Sequence, residues 1–502
     1  MANSVWAQSP NVVVGSESGA DFAAVKGFLN GNTAVVNNSF TQSEMVTFSG
    51  DTTLTIQSAD GTLKTITAGT GMTSGKGAFF SQTSETGTLT LNLSDVKFTG
   101  GKGATRIGSR LGGAIYSYGN LTFEGTNATF DKNSVTAENA AAAGGAICAE
   151  NTATISGTNT FTNNTVTATA EGGTGNIYAL GGAISAQNTI TISGTNTFTN
   201  NTVTATAEGG TGNIYALGGA ISAQNTITIS GTNTFTGNSA TATDGSAYGG
   251  AIFVAGDVVF SGDGSEATFS GNKADDVNND IRSNNVTIRD GGTYSFGGGI
   301  AANGTLAVGV ENQASTPDVT FGDGSITKVT TGLEVRYGSE LTLESGSTFE
   351  AGSLVVSEEG STLSIGNYVT LSSTGNLTVS DGGTIKLNIA DTTFTPGKVA
   401  ENLEFSDTST LVLNFADTMA VAAGTEVLLF TAAGTIEDKS TLEYSQWLTD
   451  AGFVVDVLTK NGGLYARISG PGGNVPEPAT WAMILVGLVG LGLYARRKKA
   501  GA

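Results

Sequence analysis

The sequence predicts an all-β chain folded as a right-handed parallel β-helix, a solenoid with capped ends, followed by one C-terminal transmembrane helix. Three observations support this fold class. A pair of motifs repeats along the chain, the repeats alternate apolar residues with Thr and Ser, and the 502 residues include 73 glycines but only 6 prolines. An apolar content of 38% with 13% charged residues is typical of a folded chain, and the scarcity of proline excludes collagen.

The clearest repeat is a duplication of 37 residues. Residues 151–187 recur as 188–224 with one difference, Ala153 to Ile190, and a third copy begins at 225–235. Around this duplication, Gly-Gly-Ala-Ile recurs at intervals of 32, 37, 37 and 31 residues, with its glycines and isoleucine at Gly112, Gly113 and Ile115, Gly144, Gly145 and Ile147, Gly181, Gly182 and Ile184, Gly218, Gly219 and Ile221, and Gly249, Gly250 and Ile252. Phe-x-x-Asn units alternate with it, at Phe130 and Asn133, Phe161 and Asn164, Phe198 and Asn201, Phe235 and Asn238, and Phe269 and Asn272.

One repeat corresponds to three short strands separated by corners. Alternation sends Ile190 and Ile192 to one face of a strand, and Phe198 begins the next buried position. We expect Asn201 at a corner, because Asn tolerates left-handed backbone geometry, and a tight bend at the glycines before Ile184. A single repeat cannot bury its own Ile and Phe, so we expect each strand to pair with its equivalent in the next coil.

The solenoid is expected to occupy most of the chain. Coils of about 20–25 residues, with strands about 4.8 Å apart, would make a rod about 90–100 Å long. A β-propeller is a weaker alternative, since the period drifts and no Trp-Asp signature occurs.

Both ends of the rod are expected to be closed. A short helix at residues 21–29, with Phe22, Val25 and Leu29 on one stripe, would cover the first coil. Short alternating strands from residue 333 to 389 indicate simpler coils or a sandwich-like cap, and residues 401–470 a closing cap. We therefore divide the chain into a signal-peptide remnant or disordered start (1–10), a repeat β-helix with an N-terminal cap (11–330), continued β-helix or β cap (331–470) and a C-terminal tail (471–502).

The paired motifs of residues 98–300 resemble the repeat of the polymorphic outer-membrane protein family. The passenger regions of that family are β-helical adhesins displayed on bacterial surfaces. The resemblance therefore implies a β-helical fold and an adhesive role at the cell surface.

The tail has three consecutive parts. An apolar run at residues 479–495 lies between the motif Val475, Pro476, Glu477 and Pro478 and the basic residues Arg496, Arg497, Lys498 and Lys499. This order is similar to the PEP-CTERM sorting signal, which exosortases recognise in exopolysaccharide-producing Gram-negative bacteria. As a helix the apolar run would span about 26 Å of a hydrocarbon core of about 30 Å, with the cations on the cytoplasmic side. The alternative, a buried C-terminal helix, does not explain four consecutive cations.

The tail implies export, which needs an N-terminal signal. Residues 1–30 lack a continuous apolar core of the required length. Residues 5–7, Val-Trp-Ala, before Gln8 fit the remnant of a signal-peptidase site, in which case the sequence starts after most of a signal peptide. The alternative, a non-secreted protein, conflicts with the tail. We expect an exported protein, anchored in the inner membrane as a precursor and then located at the cell surface or in the extracellular matrix of a biofilm.

The composition excludes several kinds of catalytic and metal-binding site. The chain has no His and one cysteine, Cys148, which excludes a Ser-His-Asp triad, imidazole metal ligands and an internal disulfide. We predict no enzyme activity, no cofactor and no metal. The acidic candidates Asp263 and Glu266, and Asp275, Asp276 and Asp280, are interpreted as solvated turns, with a glycosidase pair or a calcium site as the alternatives.

Charge and exposed side chains bear on the partners. The net charge is −21, and residues 1–495 carry −25, so nucleic-acid binding is not expected. Tyr178 and Tyr215 are the repeated aromatic candidates for contact with glycans, and the slot of Cys148, filled by other residues in other copies, is expected outside the packed core.

We therefore predict a secreted or surface structural or adhesin-like protein associated with extracellular polysaccharide. Its partners would be the inner membrane, an exosortase-type peptidase, and extracellular polysaccharide or host glycans. The alternative is a polysaccharide-binding or pectin-lyase-like polysaccharide-degrading β-helix protein.

Overall fold

The computed structural model describes residues 11–15, 20–106, 108–172, 175–209, 212–313, 315–419 and 421–470. Within them the chain forms 55 β-strands, a single 3-10 turn at Lys26–Phe28 and one short α-helix, α1, at Gln446–Asp450. One sheet contains 43 strands, almost all of them parallel, and two further sheets contain 6 strands each. The fold is therefore all-β with a long parallel sheet, consistent with a solenoid, as the alternating sequence predicted.

The N-terminal coils bury the stripe that was assigned to a helix, but that helix does not form. Phe22 and Leu29 are buried, while the segment makes only the 3-10 turn. The carboxylate of Asp21 accepts hydrogen bonds from the backbone N–H groups of Ala24 and of Ser43, the residue after β3, which fixes the segment as a turn. The strands here are β1 (Asn11–Val14), β2 (Thr33–Val36), β3 (Phe40–Gln42), β4 (Val46–Phe48), β5 (Thr52–Ser58), β6 (Lys64–Ala68), β7 (Phe80–Gln82), β8 (Thr88–Ser94) and β9 (Val96–Thr99).

The repeat region continues the same coil with extra strands. Its elements are β10 (Ala104–Arg106), β11 (Ser109–Leu111), β12 (Ile115–Ser117), β13 (Asn120–Asp131), β14 (Ser134–Glu138), β15 (Ala142–Ala143), β16 (Ile147–Ala149), β17 (Ala153–Thr162), β18 (Thr165–Glu171), β19 (Ile177–Leu180), β20 (Ile184–Ala186), β21 (Thr189–Ile192), β22 (Thr195–Thr199), β23 (Thr202–Glu208), β24 (Ile214–Leu217), β25 (Ile221–Ala223), β26 (Thr226–Ile229), β27 (Thr232–Thr236), β28 (Ser239–Thr243), β29 (Ser246–Tyr248), β30 (Ile252–Val254), β31 (Asp257–Phe260), β32 (Ser265–Ser270), β33 (Lys273–Ala274), β34 (Val277–Asn278), β35 (Ile281–Ser283), β36 (Val286–Ile288), β37 (Gly292–Phe296), β38 (Ile300–Ala302), β39 (Thr305–Val308) and β40 (Asp318–Phe321).

Equivalent strands of successive repeats pair in parallel register. Strand β20 pairs with β25, β21 with β26 and β22 with β27, so that Ile184 lies beside Ile221 and Phe198 beside Phe235. The apolar side chains of the three strands are buried in one continuous core. Stacking therefore buries the Ile and Phe residues that a single repeat would expose.

Two small sheets form a feature that the sequence interpretation missed. After each of the first four Phe-x-x-Asn units the chain leaves the main sheet, and it returns just before the next Gly-Gly-Ala-Ile. The outgoing strands β14, β18, β23 and β28 form one sheet with β33 and β34, and the returning strands β11, β15, β19, β24 and β29 form the other with β10. Val166, Ala168, Ile177 and Ala179 belong to the apolar cluster that the two sheets share. We call each outgoing and returning pair an arm.

Beyond the repeats the coils lose their arms. Glu340 pairs with Thr362, and Thr362 pairs with Thr384, so a plain coil takes 22 residues. The strands are β41 (Ile326–Val335), β42 (Glu340–Leu343), β43 (Thr348–Ser357), β44 (Thr362–Ile365), β45 (Thr370–Ser373), β46 (Leu377–Ser380), β47 (Thr384–Ile389), β48 (Gly397–Val399), β49 (Leu403–Phe405), β50 (Thr410–Phe415), β51 (Thr425–Ala432), β52 (Ile436–Asp438), β53 (Thr441–Tyr444), β54 (Val454–Lys460) and β55 (Gly463–Ser469).

The last described coil is closed by antiparallel pairing. Strand β55 pairs antiparallel with both β51 and β54. The indole N–H of Trp447, in α1, donates to the carbonyl oxygen of Phe415 at 2.9 Å, and Phe453 packs against the core. These contacts cover the apolar end of the solenoid.

The rod is shorter than the sequence estimate. In the described residues, the stack of strands from β1 to β52 has sixteen members. At about 4.8 Å per step this stack is about 72 Å long. The estimate of about 90–100 Å was wrong because the arms consume residues without lengthening the stack.

Candidate functional site

The Gly-Gly-Ala-Ile motifs form the corners at which arms rejoin the core. Gly181 has a φ of +59°, a left-handed conformation that favours glycine. A Cβ on Gly182 would lie well inside the van der Waals distance of the carbonyl oxygen of Gly219, on the next coil. Ile184 then enters the core fully buried. The same left-handed first glycine occurs at Gly112, Gly144, Gly218 and Gly249.

The asparagines of the Phe-x-x-Asn units form a buried ladder. Asn164 Nδ2 donates to Asn201 Oδ1 at 2.9 Å and to the carbonyl oxygen of Phe130 at 3.0 Å. Its backbone N–H also donates to Asn201 Oδ1. Equivalent bonds connect Asn133, Asn164, Asn201, Asn238 and Asn272. The expected left-handed geometry at Asn201 was wrong, since the preceding residue, Asn200, has the positive φ of 53°.

The ladder ends at a buried carboxylate. Asp280 accepts hydrogen bonds from Asn272 Nδ2 at 2.9 Å and from the backbone N–H groups of Gly298 and Gly299 at 2.6 and 3.1 Å. Its interpretation as a solvated turn was wrong, because the side chain is 0% exposed. Burial raises the pKa of Asp280 to about 6, against the opposing effect of the three donors.

The motif phenylalanines stack along the core. Phe161 and Phe198 lie 4.9 Å apart between ring centroids, and Phe198 and Phe235 lie 4.7 Å apart, with almost parallel rings. Such offset pairs add to the burial of apolar area. The Gly, Ile, Phe and Asn positions singled out in the sequence are therefore brought together as corners and core of the armed coils.

An axial groove lies between the arms and the main sheet. We use this name for the cavity of about 560 Å³ whose floor is the outward face of β16, β20 and β25 and whose wall is the returning sheet of the arms. The wall presents Leu180 and Leu217, while the floor presents Ser185, Ser222 and Gln187. A second cavity of about 370 Å³ shares Leu217 and Phe253 with the groove and extends it towards Arg282.

The two serines of the floor are buried and unpartnered. Ser185 is 5% exposed and Ser222 is 4% exposed. Among the described residues neither hydroxyl makes a hydrogen bond, although both line the groove. Both hydroxyls open onto the groove and make no hydrogen bond to the described protein, so they are free to bind polar atoms that enter it.

Among the described residues that line the groove, charged groups lie only at its ends, where they are paired. At one end Arg106 forms an ion pair with Glu150 and lies over the ring of Tyr118. At the other end Arg282 donates to Asn303 Oδ1 at 2.6 Å and lies 5.6 Å from the ring centroid of Tyr248. Residues 151–270, which build the middle of the groove, contain no Lys or Arg.

The two predicted aromatic contact residues lie on the groove wall but stack on each other. The rings of Tyr178 and Tyr215 are 5.2 Å apart and inclined by 13°. One face of each ring is therefore covered by the other. Tyr178 is 36% exposed and borders the groove.

Cys148 lines the groove but does not provide a reactive thiolate. It is 3% exposed and packs in an apolar cluster with Leu111 and Tyr116. The expectation that its slot lies outside the packed core was wrong, because the arm covers the outer face of the strand. Burial raises the pKa of the Cys148 thiol to about 12, so the thiol stays protonated at neutral pH.

The remaining acidic candidates lie outside the groove. Asp275 caps the edges of two arm strands, accepting hydrogen bonds from the N–H groups of Ala242 and Ala247. Asp263 accepts a hydrogen bond from Ser315, and Glu266 and Asp276 are exposed. In the described ranges no three His, Cys, Asp or Glu side chains are grouped as a metal site would need.

The sequence interpretation missed most of the groove. Its apolar wall and its charged ends come from Leu180, Leu217, Arg106, Tyr248 and Arg282. One signal was present in the sequence: Cys148, Ser185, Ser222 and Phe253 occupy one slot in successive copies. A slot that tolerates such different residues indicates a surface, but only the structure shows that an arm roofs it.

Comparisons with known proteins identify the tail. Residues 474–499 match the family model described as the PEP-CTERM protein-sorting motif. Curated proteins and solved structures gave no match. The resemblance of the repeats to polymorphic outer-membrane proteins stays a hypothesis.

The matched segment lies outside the described residues, as do the predicted transmembrane helix at 479–495 and its basic residues. Within the described ranges no helix has the length and apolar character needed to cross a membrane. The chain carries a PEP-CTERM sorting signal, which marks it as an exported, cell-surface-sorted protein that an exosortase recognises.

Proposed function

We propose that the chain is a non-catalytic structural or adhesive rod, a right-handed parallel β-helix, displayed at the cell surface or released into the extracellular polysaccharide matrix. The tail holds the exported precursor in the inner membrane until an exosortase removes it. The observation that carries this proposal is the PEP-CTERM match at residues 474–499, which in sequence comes shortly after the strand that closes the last described coil.

The chemistry of the tail supports a two-stage route. The apolar run at residues 479–495 favours a membrane-spanning helix, and moving the four cations of 496–499 through hydrocarbon is costly, so they anchor the cytoplasmic end. Pro476 and Pro478 disfavour continuation of the helix into the motif. An extended motif at the membrane surface is accessible to a membrane-embedded peptidase.

The test compares the C-terminus of the protein in envelope and culture fractions of an exosortase-bearing host. We expect mass spectrometry to find mature protein that ends close to Pro478 and lacks Trp481 onward. The double variant Glu477→Ala, Pro478→Ala should accumulate as a longer, membrane-bound form. The matched control is Glu437→Ala, at an exposed site on the rod, which should be processed like the wild type.

Recovery of peptides through Tyr494 from protein released into the matrix would contradict the proposal. The tail would then be a permanent part of the mature chain. Processing in a host that lacks the exosortase would equally remove the assigned role of that peptidase.

Polysaccharide binding is the second candidate function, and the groove favours it. Serine hydroxyls that make no hydrogen bond to the described protein line it beside apolar side chains, a combination that suits a sugar surface. Polysaccharide degradation has weaker support, because Asp280 is buried at the end of the Asn ladder and the other acidic candidates lie on turns and arm edges outside the groove. Turnover of pectin or alginate that is abolished by Asp263→Asn or Asp276→Asn would establish an enzyme instead.

A further inference from the structure

We propose that the axial groove binds one chain of a neutral polysaccharide, lying parallel to the stacking axis. This inference deepens the proposed function and rests on it, since an exported rod meets such polymers outside the cell. The repeat motifs account only for the fold of the armed coils. The proposal gives these coils a binding site and names the class of ligand.

The first argument is the unmet hydrogen-bonding capacity of the floor. The hydroxyls of Ser185 and Ser222 repeat on adjacent coils, and the strands that carry them pair residue for residue. Gln187 and Gln224 lie at the edge of the same floor, and in the described chain their side-chain amides have no protein partner. Two hydroxyl and two amide groups, repeated on adjacent coils, match a polymer that presents hydroxyl groups along its length.

The second argument is the opposite wall. Leu180 and Leu217 face the floor across the groove, and Phe253 fills its far end. Sugar rings present C–H groups on their faces and hydroxyls on their edges. A groove with one apolar wall and one hydrogen-bonding floor satisfies both parts, whereas a hydrocarbon chain would leave the hydroxyls of Ser185 and Ser222 unpaired.

The third argument concerns charge and selects a neutral polymer. The net charge of −21 repels polyanions, and no cation lies in residues 151–270 to offset it. The arginines at the two ends, Arg106 and Arg282, already bind Glu150 and Asn303. Acidic glycans would therefore meet repulsion without a compensating ion pair.

The geometry explains why the chain would lie along the axis. The two duplicated coils offer the same contacts, displaced by one strand spacing of about 4.8 Å. That spacing is close to the length of one sugar residue in an extended glycan. A volume of about 560 Å³ lies within the range of small-molecule sites, enough for a short stretch of chain.

The test fills the groove without disturbing the fold. Ser222→Phe places a ring on the floor, and the fold already accepts Phe253 in the equivalent slot of the next coil. The matched control, Thr228→Phe, adds the same ring to the same coil on a strand that does not line the groove. Calorimetric titration of the full chain would use hexamers of β-1,4-glucan, β-1,3-glucan, α-1,6-glucan, mannan and galactan, with an alginate hexamer as the acidic probe.

We expect at least one neutral hexamer to bind, Ser222→Phe to weaken that binding at least tenfold, Thr228→Phe to leave it unchanged, and alginate not to bind. Three results would overturn the inference: no binding of any neutral hexamer, equal binding of alginate, or binding of a fluorescent fatty acid that Ser222→Phe abolishes while glycans do not bind. None of these results bears on the processing of the tail. Normal processing at Pro478 together with failed glycan binding would therefore refute the proposed binding site and leave the proposed sorting route standing.

Discussion

The armed coils of residues 101–280 and the plain coils of residues 326–415 build the same core with different corners. In both, three parallel strands per coil bury alternating apolar residues. An armed coil takes 37 residues between Ile184 and Ile221, whereas a plain coil takes 22 between Glu340 and Thr362. The difference is an excursion that adds no length to the rod but creates a wall beside it. Extra sequence therefore produces a surface and not a longer scaffold.

The hydrogen bonds at the corners show how the excursion is held. Armed corners connect coil to coil through the buried Asn ladder, in which Asn164 donates to Asn201. Several plain corners instead use a serine that bonds within its own turn, as Ser347 Oγ does to the carbonyl oxygen of Glu344 at 2.7 Å. A chain that leaves and re-enters the core needs fixed exit and entry points, while a simple turn needs only local closure.

The largest expected loss of stability comes from replacing a glycine at a corner of the armed coils. Gly182→Ala places a Cβ against the backbone of Gly219, and because backbone cannot yield like a side chain, we expect a loss of more than about 3 kcal/mol in the free energy of unfolding. Gly175→Ala, in the same repeat, meets no atom within 4 Å and should change stability little. Urea denaturation of the two variants compares them, and equal stability would show that close coil stacking does not require glycine.

Breaking the Asn ladder should cause the next largest loss in the free energy of unfolding. Asn201→Ala removes the acceptor of two donors from Asn164 and leaves the carbonyl oxygen of Phe161 without its amide donor. These groups are buried, so we expect a loss of about 3 kcal/mol. Asn225→Ala removes an exposed side-chain hydrogen bond to Asn188, outside the ladder, and should cost well under 1 kcal/mol. Chemical denaturation with similar losses for both variants would contradict a special role for the buried ladder.

Asp280, at the end of the ladder, should make the stability of the protein depend on pH. Because the folded-state pKa of Asp280, about 6, lies above its ordinary value of 3.8, the folded protein binds this proton more tightly than the unfolded chain. Its stabilising contribution is fully present below pH about 4 and is lost as the pH rises through about 6. Between pH 4.5 and 7.5 we expect a loss of about 2 kcal/mol from this group.

Asp280→Asn isolates that contribution. The variant loses one acceptor, so its absolute stability falls, but the difference in slope between wild type and variant reports the carboxyl alone. Denaturation series at several pH values provide both slopes. If the two slopes coincide, Asp280 does not titrate in this range.

The smallest loss of stability is expected from a substitution at a corner of the plain coils. Ser347→Ala removes one local hydrogen bond and leaves the carbonyl oxygen of Glu344 without that donor, at a cost of about 1 kcal/mol. A loss as large as that of Asn201→Ala would show that plain and armed corners do not differ in the way proposed here. Thermal unfolding followed by circular dichroism is sufficient to rank the two variants.

The core was predictable because its pattern is local. Alternation at Ile190 and Ile192, with a repeated Phe, predicts stacked strands without further information. The arms were not predictable from the same pattern, because residues 165–170 alternate with the same period as the core strands and nothing local shows which sheet they join. The tail was identified from its three-part order alone, and the family match confirmed it.

The groove could be predicted from the sequence only in part. Its floor consists of one slot that varies from Cys148 to Phe253, which the sequence shows, and its wall is the returning sheet, which the sequence does not show. The pairing of Tyr178 with Tyr215 likewise depends on register between arms. Contacts between separate sheets are therefore the part of the site that required coordinates.

The central claim is that coils and arms together form one binding groove whose length is set by the number of armed coils. Deleting residues 188–224 removes one coil and joins Gln187 to Asn225, the same junction that Gln224 makes now. We predict that this variant folds normally and that its affinity for the neutral glycan stops rising at a chain length shorter by about one sugar residue, as one strand spacing is lost. Calorimetry with an oligosaccharide length series measures that limit. An unchanged limit in the folded variant would contradict the account.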